Sequence, residues 1–186
     1  MRNLLLALAA VALIAGPTDA RGRRSLGGKK YSANGTFGLG LELGAPAGLN
    51  GKYFLSDSTA LNFGVGWIYD NYYYSHNRNG VHLYLDHLWH PLSLSNGPTV
   101  KIPLYIGVGG RLWNFNDDRA GADATAIGVR VPFGIAFDFN NTPIDIFVQL
   151  TFVADLFFGY DCNRFGDCHR FGPHFEGSVG VRYWFD

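Results

Sequence analysis

From Thr36 to the end of the chain, large apolar side chains recur at every second position, separated by small or polar ones. A period of two is that of a β-strand whose two faces meet different surroundings. The pattern divides into eight segments of roughly ten residues each. In the first, Phe37, Leu39, Leu41 and Leu43 alternate with Gly38, Gly40 and Glu42. The third sets Leu61, Phe63, Val65, Trp67 and Tyr69 against Asn62, Gly64 and Gly66. In the fifth, Val100, Ile102, Leu104, Ile106 and Val108 oppose Lys101, Tyr105, Gly107 and Gly109; in the sixth, Ile127 to Phe137 at odd positions oppose Gly128, Arg130, Gly134 and Asp138. The seventh places Ile144, Ile146, Val148, Leu150 and Phe152 against Asp145, Gln149, Thr151 and Asp155, and the last places Val179, Val181, Tyr183 and Phe185 against Glu176, Ser178, Gly180 and Arg182. The second segment, about 49–55, and the fourth, about 81–89, alternate less regularly.

The connections carry a second pattern. With the amino-terminal side of the first strand taken as the inner end, the inner turns are residues 56–58, 91–98 and 140–142, and the outer loops are 45–47, 70–80, 116–123 and 158–173. Three of the four outer loops are long, as in outer-membrane barrels, where an even strand count returns both ends to one side. The expected fold is therefore all-β, a closed antiparallel eight-stranded up-and-down β-barrel of the outer-membrane type.

A soluble barrel also has period two, but it turns its apolar parity inward. The other parity separates the two cases. In water it would be rich in Lys, Glu and Thr; here it is dominated by Gly with isolated charges, which fits a narrow interior where glycines leave room for a few long polar side chains. Aromatic residues gather near strand ends: Trp67, Tyr69, Tyr72, Tyr73, Tyr74, Phe157 and Tyr160 at one, and Tyr53, Trp89, Phe139, Tyr183 and Phe185 at the other, as interfacial girdles require. The apolar parity is thus expected to face lipid, with outer-membrane lipid as the first partner.

Composition and the amino-terminal segment agree. Residues 1–20 combine Arg2, an apolar run and a small-residue end at Ala20, the form of a cleaved secretory signal; the run is too short to anchor a helix across a bilayer. Residues 21–35 read as a basic, Gly-rich, flexible lead, and residues 36–186 as the barrel. Charged residues are 16% of the chain, so little charge is available for a wetted surface, and the formal net charge is zero, which offers nothing to a nucleic-acid partner.

With the strands placed, the segments 48–57, 85–90, 104–111, 128–132, 143–147 and 180–185 resemble a family of small bacterial outer-membrane-like eight-stranded β-barrel proteins of unknown function. Together they span nearly the whole chain after residue 35. The resemblance implies the fold and no activity. The chain departs from that pattern in its longer second outer loop and its cysteine-bearing fourth one. Barrels of this kind end in an aromatic residue read by the barrel-assembly machinery, a partner expected here through the C-terminal strand, although Asp186 follows Phe185.

The inward charges are Glu42, Asp86, Asp138, Asp145, Asp155 and Glu176 against Lys52, Lys101, Arg111, Arg130 and Arg182. Such a balanced set is expected to pair and plug the interior, because an unpaired buried charge is costly. Strand order matches Asp138 with Lys101 and Asp145 with Arg182 at the inner end, and groups Glu42, Arg111, Asp155 and Glu176 at the outer. A selective pore is the alternative. Cys162 and Cys168 are expected to form a disulfide within the last outer loop; Asp161, Asp167, His169 and His174 beside them suggest a metal, but no spacing matches a zinc signature, so no metal or cofactor is expected. Tyr72, Tyr73, Tyr74 and Arg78 make the second outer loop a candidate surface for an extracellular macromolecule. The expected role is structural or surface-binding rather than enzymatic. A lipid-modifying enzyme using His76, Ser75 and Asp70 is the second class, and a soluble periplasmic barrel with an apolar ligand the third.

Overall fold

The computed structural model describes residues 31–70, 78–117, 122–158 and 171–185. Among these the chain forms eight strands and no helix: β1 (Phe37–Gly44), β2 (Ala47–Ser56), β3 (Thr59–Asp70), β4 (Arg78–Asn96), β5 (Val100–Asp117), β6 (Ala122–Phe139), β7 (Ile144–Phe158) and β8 (Phe171–Phe185). Each pairs antiparallel with its neighbours in sequence, and β1 pairs with β8, so the sheet closes into a ring.

The registers fix the stagger. Leu39 pairs with Gly51, Gly51 with Phe63, Phe63 with Leu85, Leu85 with Gly110, Gly110 with Val129, Val129 with Ala154 and Ala154 with Pro173. The β8–β1 register carries Pro173 to position 49, ten residues from the start at 39. Eight strands with a stagger of ten tilt by roughly 40° and enclose an interior that side chains fill.

The parity read from the sequence is the one observed. Val131, Val148, Phe133 and Leu150 face outward and are 37% to 52% exposed, while Arg130 and Gln149 point inward and are buried. Along β8 exposed and buried residues alternate without a break. Gly51 is an outward residue with no side chain, and the Phe63 ring lies over it, 2.5 Å from where a Cβ would stand.

Several boundaries differ from the sequence reading. β4 was expected over 81–89 with residues 91–98 as a turn, yet it runs to Asn96. Pro91 is accommodated because the β4–β5 register shifts between Trp89 and Leu92 and again between Ser93 and Ser95, so no ladder donor is needed there. At the other end the strands extend into the expected loops: Arg78 begins β4 opposite Asp70, β5 and β6 meet at Asp117↔Ala122, and Pro173 lies inside β8. Gly44 closes β1 at φ 127°, a conformation that favours glycine, just before the β1–β2 turn.

Candidate functional site

The lumen is layered. Its middle is ionic. Arg182, on β8, forms a two-pronged pair with Asp145 directly across the β7–β8 ladder, Nε to Oδ1 and Nη2 to Oδ2 both at 2.9 Å. Its third nitrogen donates to Asn50 Oδ1 at 3.1 Å and Asn62 Oδ1 at 3.2 Å. Arg111 donates through Nε to Asp155 Oδ1 at 2.9 Å, through Nη2 to Asp155 Oδ2 and through Nη1 to Glu176. Arg130 shares Asp86, at 3.2 Å and 3.3 Å from Nε, and reaches Glu176 at 3.5 Å. His174 joins the cluster 3.2 Å from Glu176 Oε1. All these side chains are almost wholly buried, and each guanidinium also lies over an aromatic ring: Arg130 over Tyr84 and Arg182 over Phe147, both at 4.2 Å, and Arg111 over Trp113 at 5.4 Å.

Two of the expected groupings change. Glu42 binds no arginine; its carboxylate accepts from Tyr84 Oη at 2.6 Å, from Asn50 Nδ2 at 3.3 Å and from Ser178. Three donors take the place of a counter-charge. Lys101 and Asp138 are opposite in the β5–β6 register, yet neither bonds the other. Lys101 Nζ donates to the Ser32 carbonyl at 2.9 Å and to Asn34, and Asp138 Oδ2 accepts from Tyr31 Oη at 2.9 Å. The competitor is the chain's own amino-terminal segment.

That segment was expected as a flexible lead over 21–35, solvated as far as Tyr31. Instead Tyr31 is 2% exposed and inserted into the end of the barrel that carries the short turns. Its ring stacks on His90 at 5.3 Å and packs on Phe54 at 5.9 Å, while Asn34 donates to Asn140 at 2.9 Å. Burial, followed by the field of Asp138, holds the Tyr31 phenol far above its ordinary pKa, so it remains a hydrogen-bond donor. Beneath it Lys52 Nζ lies 2.8 Å from His90 Nε2 and faces the rings of Phe54 and Tyr105.

Apolar clusters lie at either end of the ionic layer. Tyr31, Phe54, Ala60 and Trp184 close the short-turn end, with Leu88, Tyr105, Ala136 and Phe147 next to them. Ile68, Trp113, Phe115, Ala124, Ala126 and Phe157 fill the long-loop end. Phe157, expected in an outward girdle, points inward. Sequence reasoning took the inward parity as polar and missed these clusters; the signal available was that Trp113 and Phe115 share the parity of Arg111, Phe147 that of Asp145 and Trp184 that of Arg182. His82 Nδ1 and Nε2, Trp113 Nε1 and Arg130 Nη2 have no protein partner among the described residues, and buried polar atoms of this kind are ordinarily met by internal water.

The described residues include no group of His, Cys, Asp and Glu arranged to hold a metal. Tyr72, Tyr73, Tyr74, Ser75, His76, Cys162 and Cys168 lie outside the described residues, and Arg78 is placed only as the first residue of β4.

Fold and site together define a class: a closed eight-stranded antiparallel ring with an apolar exterior and an ion-paired lumen. No family model and no curated protein matches this chain, so the resemblance carried by segments such as 48–57 and 180–185 rests on those segments alone.

Proposed function

We propose that this chain is an outer-membrane β-barrel with a non-enzymatic structural or surface-binding role, whose plugged barrel holds the outer loops at the cell surface. One observation carries the reading: the outward parity is apolar and exposed on every strand, while the inward parity holds the charges. Among the described residues thirty large apolar side chains are exposed, including Leu41, Leu85, Phe133, Leu150 and Val179, an arrangement water does not favour and hydrocarbon does. Outward aromatics end the band, with Phe37, Tyr53, Trp89, Tyr183 and Phe185 toward the short turns and Trp67, Phe158 and Phe171 toward the long loops. A soluble barrel holding an apolar ligand would need the opposite parity. The apolar clusters above and below the ion pairs support a plug over a conducting pore.

The proposed partners are outer-membrane lipid, the assembly machinery through β8, and an extracellular macromolecule through the loops between β3 and β4 and between β7 and β8. Fractionation tests the reading. The mature protein is expected to require detergent for solubility and to migrate differently on gels before and after heating. A protein that stays in the aqueous phase without detergent would overturn the membrane assignment, and steady ion-selective openings in planar bilayers would overturn the plug.

A further inference from the structure

The ring is not level at its long-loop end. The β1–β8 ladder stops at Gly44↔Ser178, whereas β8 continues to Phe171, leaving residues 171–177 without a β1 partner. On the other side, the β2–β3 ladder stops at Ala47↔Trp67 while β3 runs on to Asp70. The short β1–β2 hairpin therefore leaves a gap in the wall between β8 and β3. Beyond the Ala45–Gly177 contact, the six residues 171–176 at about 3.3 Å each, inclined at roughly 40°, make the step beside β8 about 15 Å deep.

The gap lies at the height of the apolar band. Phe171 and Phe175 on β8 and Trp67 on β3 flank it, 40% to 56% exposed. Leu43 forms its lower lip and, at 65%, is the most exposed large apolar side chain described. Beside it Gly177 faces outward, with nothing within 4 Å of where a Cβ would stand, so the wall carries a dent there.

The bared edge of β8 has a defined polarity. Gly177 O accepts from Ala45 N at 3.0 Å, so odd-numbered residues of β8 direct their backbone groups toward the gap and even-numbered ones toward β7. Among the described residues no partner meets the N–H of Gly177, the N–H and C=O of Phe175, the C=O of Pro173 or the backbone groups of Phe171 on this edge. Pro173 has no N–H, which removes a donor from the middle of the edge and disfavours addition of another strand. Backbone groups at hydrocarbon depth nevertheless need partners. Just inside this edge, Glu176, His174 and Ser178 are 5% to 8% exposed, against 3% or less for the other buried polar groups.

The geometry points to a lateral binding site for an acylated membrane lipid: one chain lies in the dent over Gly177 between Leu43 and Phe175, and the ester or amide linkage meets the free backbone of Phe175 and Pro173. This rests on the membrane reading above, which puts the gap at outer-leaflet depth. The occupant is a lipid rather than a peptide because the edge is apolar on its outer face and interrupted by proline.

Native mass spectrometry of the full-length mature protein in detergent, with lipid A as the probe, tests it. The unaltered protein is expected to retain one lipid A at energies that strip annular detergent. Gly177→Trp fills the dent and should lower retention about tenfold, close to a 1.4 kcal/mol loss in affinity. Gly110→Trp, at an outward glycine on β5 with similar open space, should leave retention unchanged. Equal retention in all three proteins, no retention in the unaltered one, or a dimer joined through β8 would overturn the site. Those results in a detergent-dependent protein leave the membrane reading standing, whereas solubility without detergent removes both.

Discussion

At the scale of single residues, the wall and the lumen constrain the sequence in opposite ways. Gly134 faces inward beneath Tyr105, and a Cβ there would stand 2.4 Å from the phenol and 2.6 Å from the Val148 carbonyl. The ring has some freedom to move, but the β7 backbone has little. Gly134→Ala should therefore destabilise the barrel by about 1–3 kcal/mol, read as a shift in urea midpoint during refolding into detergent. Gly177→Ala, which meets nothing, should fall within about 0.5 kcal/mol of the unaltered protein in the same assay. Charge imposes the stricter condition. Arg182 has exchanged water for Asp145, Asn50 and Asn62, so Asp145→Ala leaves a buried guanidinium facing two neutral amides. A loss of about 3–5 kcal/mol is expected by that midpoint measurement. Replacing Asp145 and Arg182 together by apolar residues should cost less than Asp145→Ala alone, because no uncompensated charge remains.

At the scale of elements, the strands differ in how legible they are. β6, β7 and β8 keep strict alternation because the β6–β7 and β7–β8 ladders run nearly the whole length of these strands, so every position has a fixed side, and their faces follow from the sequence. β4 is less legible because its two register shifts interrupt the period at Pro91 and Leu94. Membership of the ion-pair layer was readable for Arg111, Arg130, Asp145, Asp155, Glu176 and Arg182, since parity alone points them inward. Partnership was less so. Two carboxylates at one height look equivalent in sequence, yet Glu42 is met by hydroxyl and amide donors while Glu176 is shared by two arginines. The docking of residues 31–35 had no periodic signal at all, because it depends on one aromatic ring fitting an opening that only the closed sheet creates. Tyr31→Phe keeps that ring and removes its bond to Asp138. It should cost about 1 kcal/mol, and Tyr31→Ala clearly more, with amide exchange of the Asn34–Asn140 region rising in parallel.

At the scale of the whole molecule, stability and location depend on one solvent meeting one face. The ring has closed, so its backbone groups are satisfied within the wall except along the upper edge of β8 and the rims, and the outward side chains alone decide whether the exterior belongs in water or in hydrocarbon. Val131 lies near the middle of β6, 37% exposed, with Phe133 and Val129 above and below it on the same face and Phe152 beside it across the ladder. If that face meets lipid, Val131→Arg puts a guanidinium at the depth where burial in the bilayer is most costly, and the protein refolded into lipid vesicles should lose about 2–4 kcal/mol. If the face met water instead, the same change would add a solvated charge to an exposed strand position and stay within about 0.5 kcal/mol. The lumen cannot produce this difference, since Arg130, the adjacent residue, is already inward and paired with Asp86. A second arginine placed at Phe37, on the edge of the band where a long side chain reaches the interface, should cost much less than the one at Val131. A graded penalty from Phe37 to Val131 in vesicles is therefore the expected signature of a barrel that spans a membrane, and a flat response near zero at both positions would sink that assignment.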